Sequence, residues 1–134
     1  MLDTRGFIAE TNATHVFGVW NGALVTSQLV ACPEGITRET ILGLCADLGI
    51  PCEVRDWSLT ELYRADEVFC TGTMGELAGV TTVDGRMIGE GKIGAIGTCA
   101  DTCDSHILGL IQLDAIVLQP IEYGEHVIGA AVIN

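Results

Sequence analysis

Asn21 and Gly22 stand between two β-prone runs, "HVFGVW" before them and "ALVT" after. A tight type I′ turn needs positive φ at both central residues, which Asn and Gly tolerate, so residues 15 to 26 predict a two-residue hairpin. A chain that opens this way is committed early to antiparallel sheet. Asp84-Gly85 in "VTTVDGRMIG" predicts a second hairpin by the same logic. Between the hairpins, Thr37 can cap a helix whose apolar residues Ile41, Leu44, Cys45 and Leu48 fall on one face, with Gly49 and Pro51 ending it. Residues 52 to 57, "CEVRDW", alternate like a strand. Ser58 and Glu61 then form a capping box for a short helix through about Arg64. Val68, Phe69 and Cys70 read as a core strand that runs into Thr71, Gly72 and Thr73.

With 134 residues and 49% hydrophobic content, the chain suits one domain, or a piece of one, that buries roughly two-thirds of its unfolded surface. A formal charge of -12 repels nucleic-acid phosphate and anionic lipid, so neither nucleic acid nor a membrane is expected as a partner. The start "MLDTRGFIAE" does not look like a secretory signal, and no apolar stretch approaches the ~20 residues a bilayer demands. A cytoplasmic setting is expected, with an organellar form left open. The six cysteines are then reduced thiols rather than staples. Cys99, Cys103 and His106 form C-x3-C-x2-H, which falls short of the four ligands of a structural zinc site, so no metal is expected. From about residue 95 the chain carries neither Lys nor Arg.

Three segments offer chemistry. Gly35, Ile36 and Thr37 stand at a helix entry, where unpaired N–H groups and the helix dipole favour an anion, although such a triplet is more often a plain cap. Gly72 lets backbone approach closely between two threonine hydroxyls, or is simply a strand-to-loop junction. Glu10, at the end of an apolar patch, is either a solvated edge residue or an acid that holds a proton on a cofactor nitrogen.

Taken together and in this order, "LDTRGFIAETNATHVF", "PEGITRETI", "ADEVFCTGTMGEL" and "VDGRMIGEGKIG" resemble the fold-type IV pyridoxal-phosphate enzymes, closest to the branched-chain amino-acid aminotransferases. The resemblance implies an α+β domain with a mainly antiparallel, partly barrel-like sheet and flanking helices. It implies pyridoxal 5'-phosphate as cofactor, amino acid and 2-oxo acid as substrates, and a homodimer. By position, Glu10 matches the acid on the pyridine nitrogen, Ile36 and Thr37 the phosphate cup, and Gly72 and Thr73 the second phosphate contact. The Thr73 and Met74 amides match the groups facing the substrate carboxylate, while Thr11 and Asn12 line the site beside the acid.

The family's Schiff-base lysine lies upstream of the segment matching Glu10. The single lysine here, Lys92 in "GEGKIG", matches a non-catalytic position. The isolated chain is therefore expected to be inactive, as the C-terminal part of a transaminase. The alternative is a non-catalytic fragment or regulatory subunit pairing with the full-length enzyme. Residues 1 to 94 read as the family domain, and 95 to 134 as a divergent aliphatic tail from a truncated, frame-shifted or misjoined coding sequence or from an alternative splice.

Overall fold

The computed structural model describes residues 1–72, 76–96 and 130–133. Strands β1 (His15–Trp20) and β2 (Ala23–Thr26) pair antiparallel, with Phe17 opposite Thr26. Their turn has φ of 50° at Asn21 and 77° at Gly22, the double positive φ that the Asn-Gly pair predicts. Helix α1 (Ile36–Leu48) then crosses over to β3 (Cys52–Val54), which lies parallel to β2. A short helix α2 (Leu59–Tyr63) leads into β4 (Glu67–Gly72), which pairs antiparallel with β1. The hairpin of β5 (Glu76–Val83) and β6 (Arg86–Met87) follows, turning at Asp84 and Gly85. A further strand, β7 (Ala130–Ile133), pairs parallel with β5.

The strand order β3-β2-β1-β4-β5-β6 makes a mostly antiparallel α+β sheet, as expected, but its outer strands do not meet. The sheet is open among the described residues. Side chains alternate between its faces along each strand. Phe17, Val19, Leu24 and Phe69 point to the α1 side and pack with Ile41 and Cys45 of the helix. Phe17 and Phe69, directly opposed across β1 and β4, stack at 5.1 Å between ring centroids. Val16, Val25, Val68 and Cys70 point the other way, onto Trp57, Leu62 and Ile8. Among the described residues, no helix is long and apolar enough to cross a membrane.

Two elements differ from expectation at their ends. The N-cap of α1 is Gly35, in extended conformation, so Thr37 is already inside the helix and buried rather than capping it. The strand read at 52–57 is observed only over Cys52–Val54; the Arg55 amide makes the last bond to β2, on the Thr26 carbonyl, and the Arg55 side chain ion-pairs with Glu53 and Glu61. The capping box of α2 is formed as expected: the Ser58 hydroxyl accepts from the Glu61 amide at 3.2 Å, and the Glu61 carboxylate accepts from the Ser58 amide at 2.8 Å.

That reciprocal pair carries a pH signature. The Ser58 amide, with help from Arg55 and against partial burial, holds the Glu61 carboxyl below the ordinary carboxylate range. A folded-state pKa below the unfolded one stabilises the fold fully above the unfolded value of about 4.3, and the contribution is lost as pH falls through the depressed value. Ser58→Ala is expected to cost about 1 kcal/mol at neutral pH in urea titration, and Glu61→Gln to flatten the stability profile between about pH 5 and pH 3. An unchanged acid limb in Glu61→Gln would contradict this assignment.

Candidate functional site

One end of the sheet gathers the start of β1, the ends of β2 and β4, the entry of α1 and the loop from Ile8 to Thr14. The βαβ crossover explains the helix entry, since α1 begins just beyond the end of β2. Ligands commonly bind beyond strand ends that feed a helix N-terminus. Side-chain bonds lock the pieces together. Arg38, in the first turn of α1, donates from Nη2 to the Ser27 carbonyl at 2.9 Å. The Ser27 hydroxyl donates to the Ile8 carbonyl at 2.6 Å and accepts from the Trp57 indole at 2.8 Å.

The Glu10 side chain is half-buried, and its carboxylate has no hydrogen-bond partner among the described residues. Its charge is nonetheless felt nearby. Burial pushes the Cys32 thiol up, Glu10 pushes it further, and Arg38 opposes them. Glu10 is therefore within electrostatic reach of Cys32, in the segment leading into α1. Thr11 and Thr14 close the loop after it, the Thr11 amide donating to the Thr14 carbonyl at 2.9 Å and the Thr11 hydroxyl to the same carbonyl at 3.0 Å. Asn12 is exposed at the tip of that loop. Gly72 abuts it: a Cβ there would stand 2.8 Å from Thr14 Cγ2.

The α1 entry has no side-chain cap. Glu39 makes the first helical bond, to the Gly35 carbonyl, and the amides of Ile36, Thr37 and Arg38 find no acceptor among the described residues. Ile36 is exposed and Thr37 buried, so one side of this turn opens outward. Two buried polar atoms at the same end also lack partners among the described residues, Arg38 Nε and Thr71 Oγ1. Buried donors of this kind are costly unless something accepts from them. The set fits a ligand with an anionic group at the helix entry and a hydrogen-bond donor or cationic group toward Glu10.

The structure thus brings Glu10, Thr11, Asn12, Ile36, Thr37 and Gly72 to one end of the fold. Thr73 and Met74, which follow Gly72 in the chain, lie outside the described residues, as do Cys99, Cys103 and His106. Lys92 is exposed in a loop that runs along the first half of β4, where Gly89 meets Asp66 and Ile93 covers Gly79. Gly72 is at the opposite end of that strand. Arg38 is a member of this end that sequence reasoning does not single out. A cation in the first turn of a helix opposes the macrodipole, and that conflict is the available signal. A separate cavity of about 400 Å³ lies toward the β1–β2 turn, lined by Trp20, Glu53, Arg55, Thr60, Glu61 and Arg64 among others, away from this end.

A family model described as "Amino-transferase class IV" matches residues 1–83. The chain is 48% identical over 96 residues to Branched-chain-amino-acid aminotransferase-like protein 2 of Arabidopsis thaliana, a match covering 72% of this chain and 17% of that protein. It is similar to the solved branched-chain amino acid aminotransferase from Escherichia coli, with a TM-score of 0.75 and 36% identity over 81% of this chain and 36% of that one. A solved branched-chain amino acid aminotransferase from T.th., complexed with N-(5'-phosphopyridoxyl)-L-glutamate, gives a TM-score of 0.73 and 34% identity over 76% of this chain and 35% of that one. The chain therefore spans between 17% and 36% of the length of these relatives.

Proposed function

The chain belongs to the amino-transferase class IV family, and from that membership we propose that it holds pyridoxal 5'-phosphate as the C-terminal part of an enzyme moving an amino group between an amino acid and a 2-oxo acid. Branched-chain amino acids are the favoured donors, on the names of its relatives. The observation that carries this reading is the convergence, at one end of the sheet, of three first-turn amides with the carboxylate of Glu10, all without partners among the described residues.

In this reading the Ile36 and Thr37 amides donate to the phosphate, with the helix dipole behind them. Gly72 brings bare backbone to the same group, and Thr73 adds an amide and a hydroxyl. Glu10 accepts from the ring nitrogen and keeps a proton there, a role suited to a carboxylate with no competing partner among the described residues. The Thr73 and Met74 amides face the substrate carboxylate, and Thr11 and Asn12 line the site beside the acid. When bound, the protonated pyridine ring draws electron density from the substrate α-carbon, which is what permits the amino group to be exchanged.

No residue of the sequence matches the family's Schiff-base lysine, and Lys92 sits away from the site. The 134-residue polypeptide is therefore proposed to bind cofactor without turnover, the lysine being supplied from outside these residues. Exposed Leu29, Val30 and Ile36 beside the α1 entry support burial against further protein, in a homodimer. The free thiols Cys32, Cys45, Cys52 and Cys70 suit a reducing, cytoplasmic setting.

Titration with pyridoxal 5'-phosphate and with pyridoxal tests the reading. The phosphorylated form is expected to bind about tenfold or more tightly, because charge-assisted hydrogen bonds to the amides depend on it. Borohydride treatment is expected to leave Lys92 unmodified. Equal affinities would contradict the phosphate assignment, and a reduced adduct on Lys92 would overturn the role given to that residue.

A further inference from the structure

His15 begins β1 and is buried on the α1 side of the sheet, directly across from Thr71. Its ring touches the α1 entry in two ways. The Nε2 atom lies 2.8 Å from the Pro33 carbonyl oxygen. A carbonyl only accepts, so Nε2 carries the proton, and in the neutral ring Nδ1 is the bare nitrogen. The same ring lies against Gly35, where an added Cβ would stand 2.4 Å from Cε1 and 2.7 Å from Nδ1. The imidazole thus occupies the space that a side chain at position 35 would fill, and position 35 is the N-cap.

This arrangement solves a conflict. A Ser, Thr or Asp at the N-cap would fix the first turn by accepting from the second or third helical amide. Those are the amides of Thr37 and Arg38, so a cap that took the first of them would consume a donor assigned to the anion. Gly35 caps nothing, and leaves the turn to be held from outside. We infer that His15 is the positioning residue that does this, gripping Pro33 by a hydrogen bond and Gly35 by packing, so that the Ile36 and Thr37 amides are both fixed and free. The inference rests on the reading that those amides receive the cofactor phosphate.

The test compares the 134-residue protein with His15→Leu, which removes the donor, and His15→Gln, which keeps a donor at similar reach. His15→Leu is expected to lower affinity for pyridoxal 5'-phosphate about fivefold to tenfold, the effect of losing one hydrogen bond, while affinity for pyridoxal is unchanged. His15→Gln is expected to recover most of the loss. Wild-type affinity in His15→Leu, or a loss shared equally by pyridoxal, would overturn the inference. NMR of the wild type keeps the question open to decision if His15→Leu does not fold. The proton is expected on Nε2, and inorganic phosphate is expected to shift both that resonance and the Ile36 and Thr37 amides. A proton on Nδ1, or a ring indifferent to phosphate, would count against the inference. If the wild type does not prefer the phosphorylated ligand, the functional reading fails and takes this inference with it. A selective wild type with an indifferent His15→Leu sinks the inference alone.

Discussion

Trp57→Ala is expected to destabilise the protein by about 3–5 kcal/mol, a large share of the roughly 5–15 kcal/mol that holds a domain folded. Trp57 is fully buried, meets Trp20 edge to face at 5.5 Å, and its indole N–H donates to the Ser27 hydroxyl. Gly18 leaves room for this pair, since a Cβ there would stand 2.5 Å from the Trp20 ring and 2.9 Å from Trp57. The alanine variant loses both the ring and the support beneath Ser27, whose carbonyl receives Arg38 from the first turn of α1. The destabilisation is thus expected to reach the entry of α1. Trp57→Phe, keeping a ring but no donor, is expected to cost about 1–2 kcal/mol. Urea titrations of the two variants give the comparison. A similar cost for both would assign the effect to the hydrogen bond rather than to the packed ring.

The second large effect falls on binding. Glu10→Gln is expected to weaken pyridoxal 5'-phosphate by about ten- to a hundredfold, in line with the roughly 1.5–3 kcal/mol typical of a hydrogen bond to a charged group. Pyridoxal is expected to weaken in parallel, because the ring nitrogen is common to both ligands. Inorganic phosphate is expected to bind as before, since it never meets Glu10. The same variant has a readout without any ligand. Glu10 helps push the Cys32 thiol up, so its neutralisation lowers the thiol pKa and increases the thiolate fraction at a given pH. Cys32 is therefore expected to alkylate faster in Glu10→Gln than in the wild type. Loss of phosphate binding would contradict the assignment of Glu10 to the ring nitrogen alone, and an unchanged Cys32 would place Glu10 away from the segment leading into α1.

The local signals in the sequence translate well where one short-range rule decides the outcome. Asn21-Gly22 and Asp84-Gly85 take the positive φ values that their side chains permit, and Ser58 with Glu61 closes its box within one helical turn. The alternation of Val68, Phe69 and Cys70 likewise divides between the two faces of the sheet. What is not legible depends on contacts across the fold. Thr37 reads as a cap because hydroxyls usually cap, but the helix already begins at Ile36, with Gly35 at the N-cap packed against the His15 ring. Arg38 is tied to Ser27 and Thr71 lies opposite His15, pairings that no spacing in the chain announces. Family resemblance links Glu10, Ile36 and Gly72 without a physical cause; the strand pairing and the Arg38–Ser27–Ile8 bonds bring their segments to one end of the sheet.

A crystal structure of the protein soaked with pyridoxal 5'-phosphate tests the central claim most directly. The phosphate is predicted on the amides of Ile36 and Thr37, with the Glu10 carboxylate on the ring nitrogen. A phosphate seated instead among Arg55 and Arg64 in the cavity by the β1–β2 turn, with Glu10 far from the ring, would contradict it.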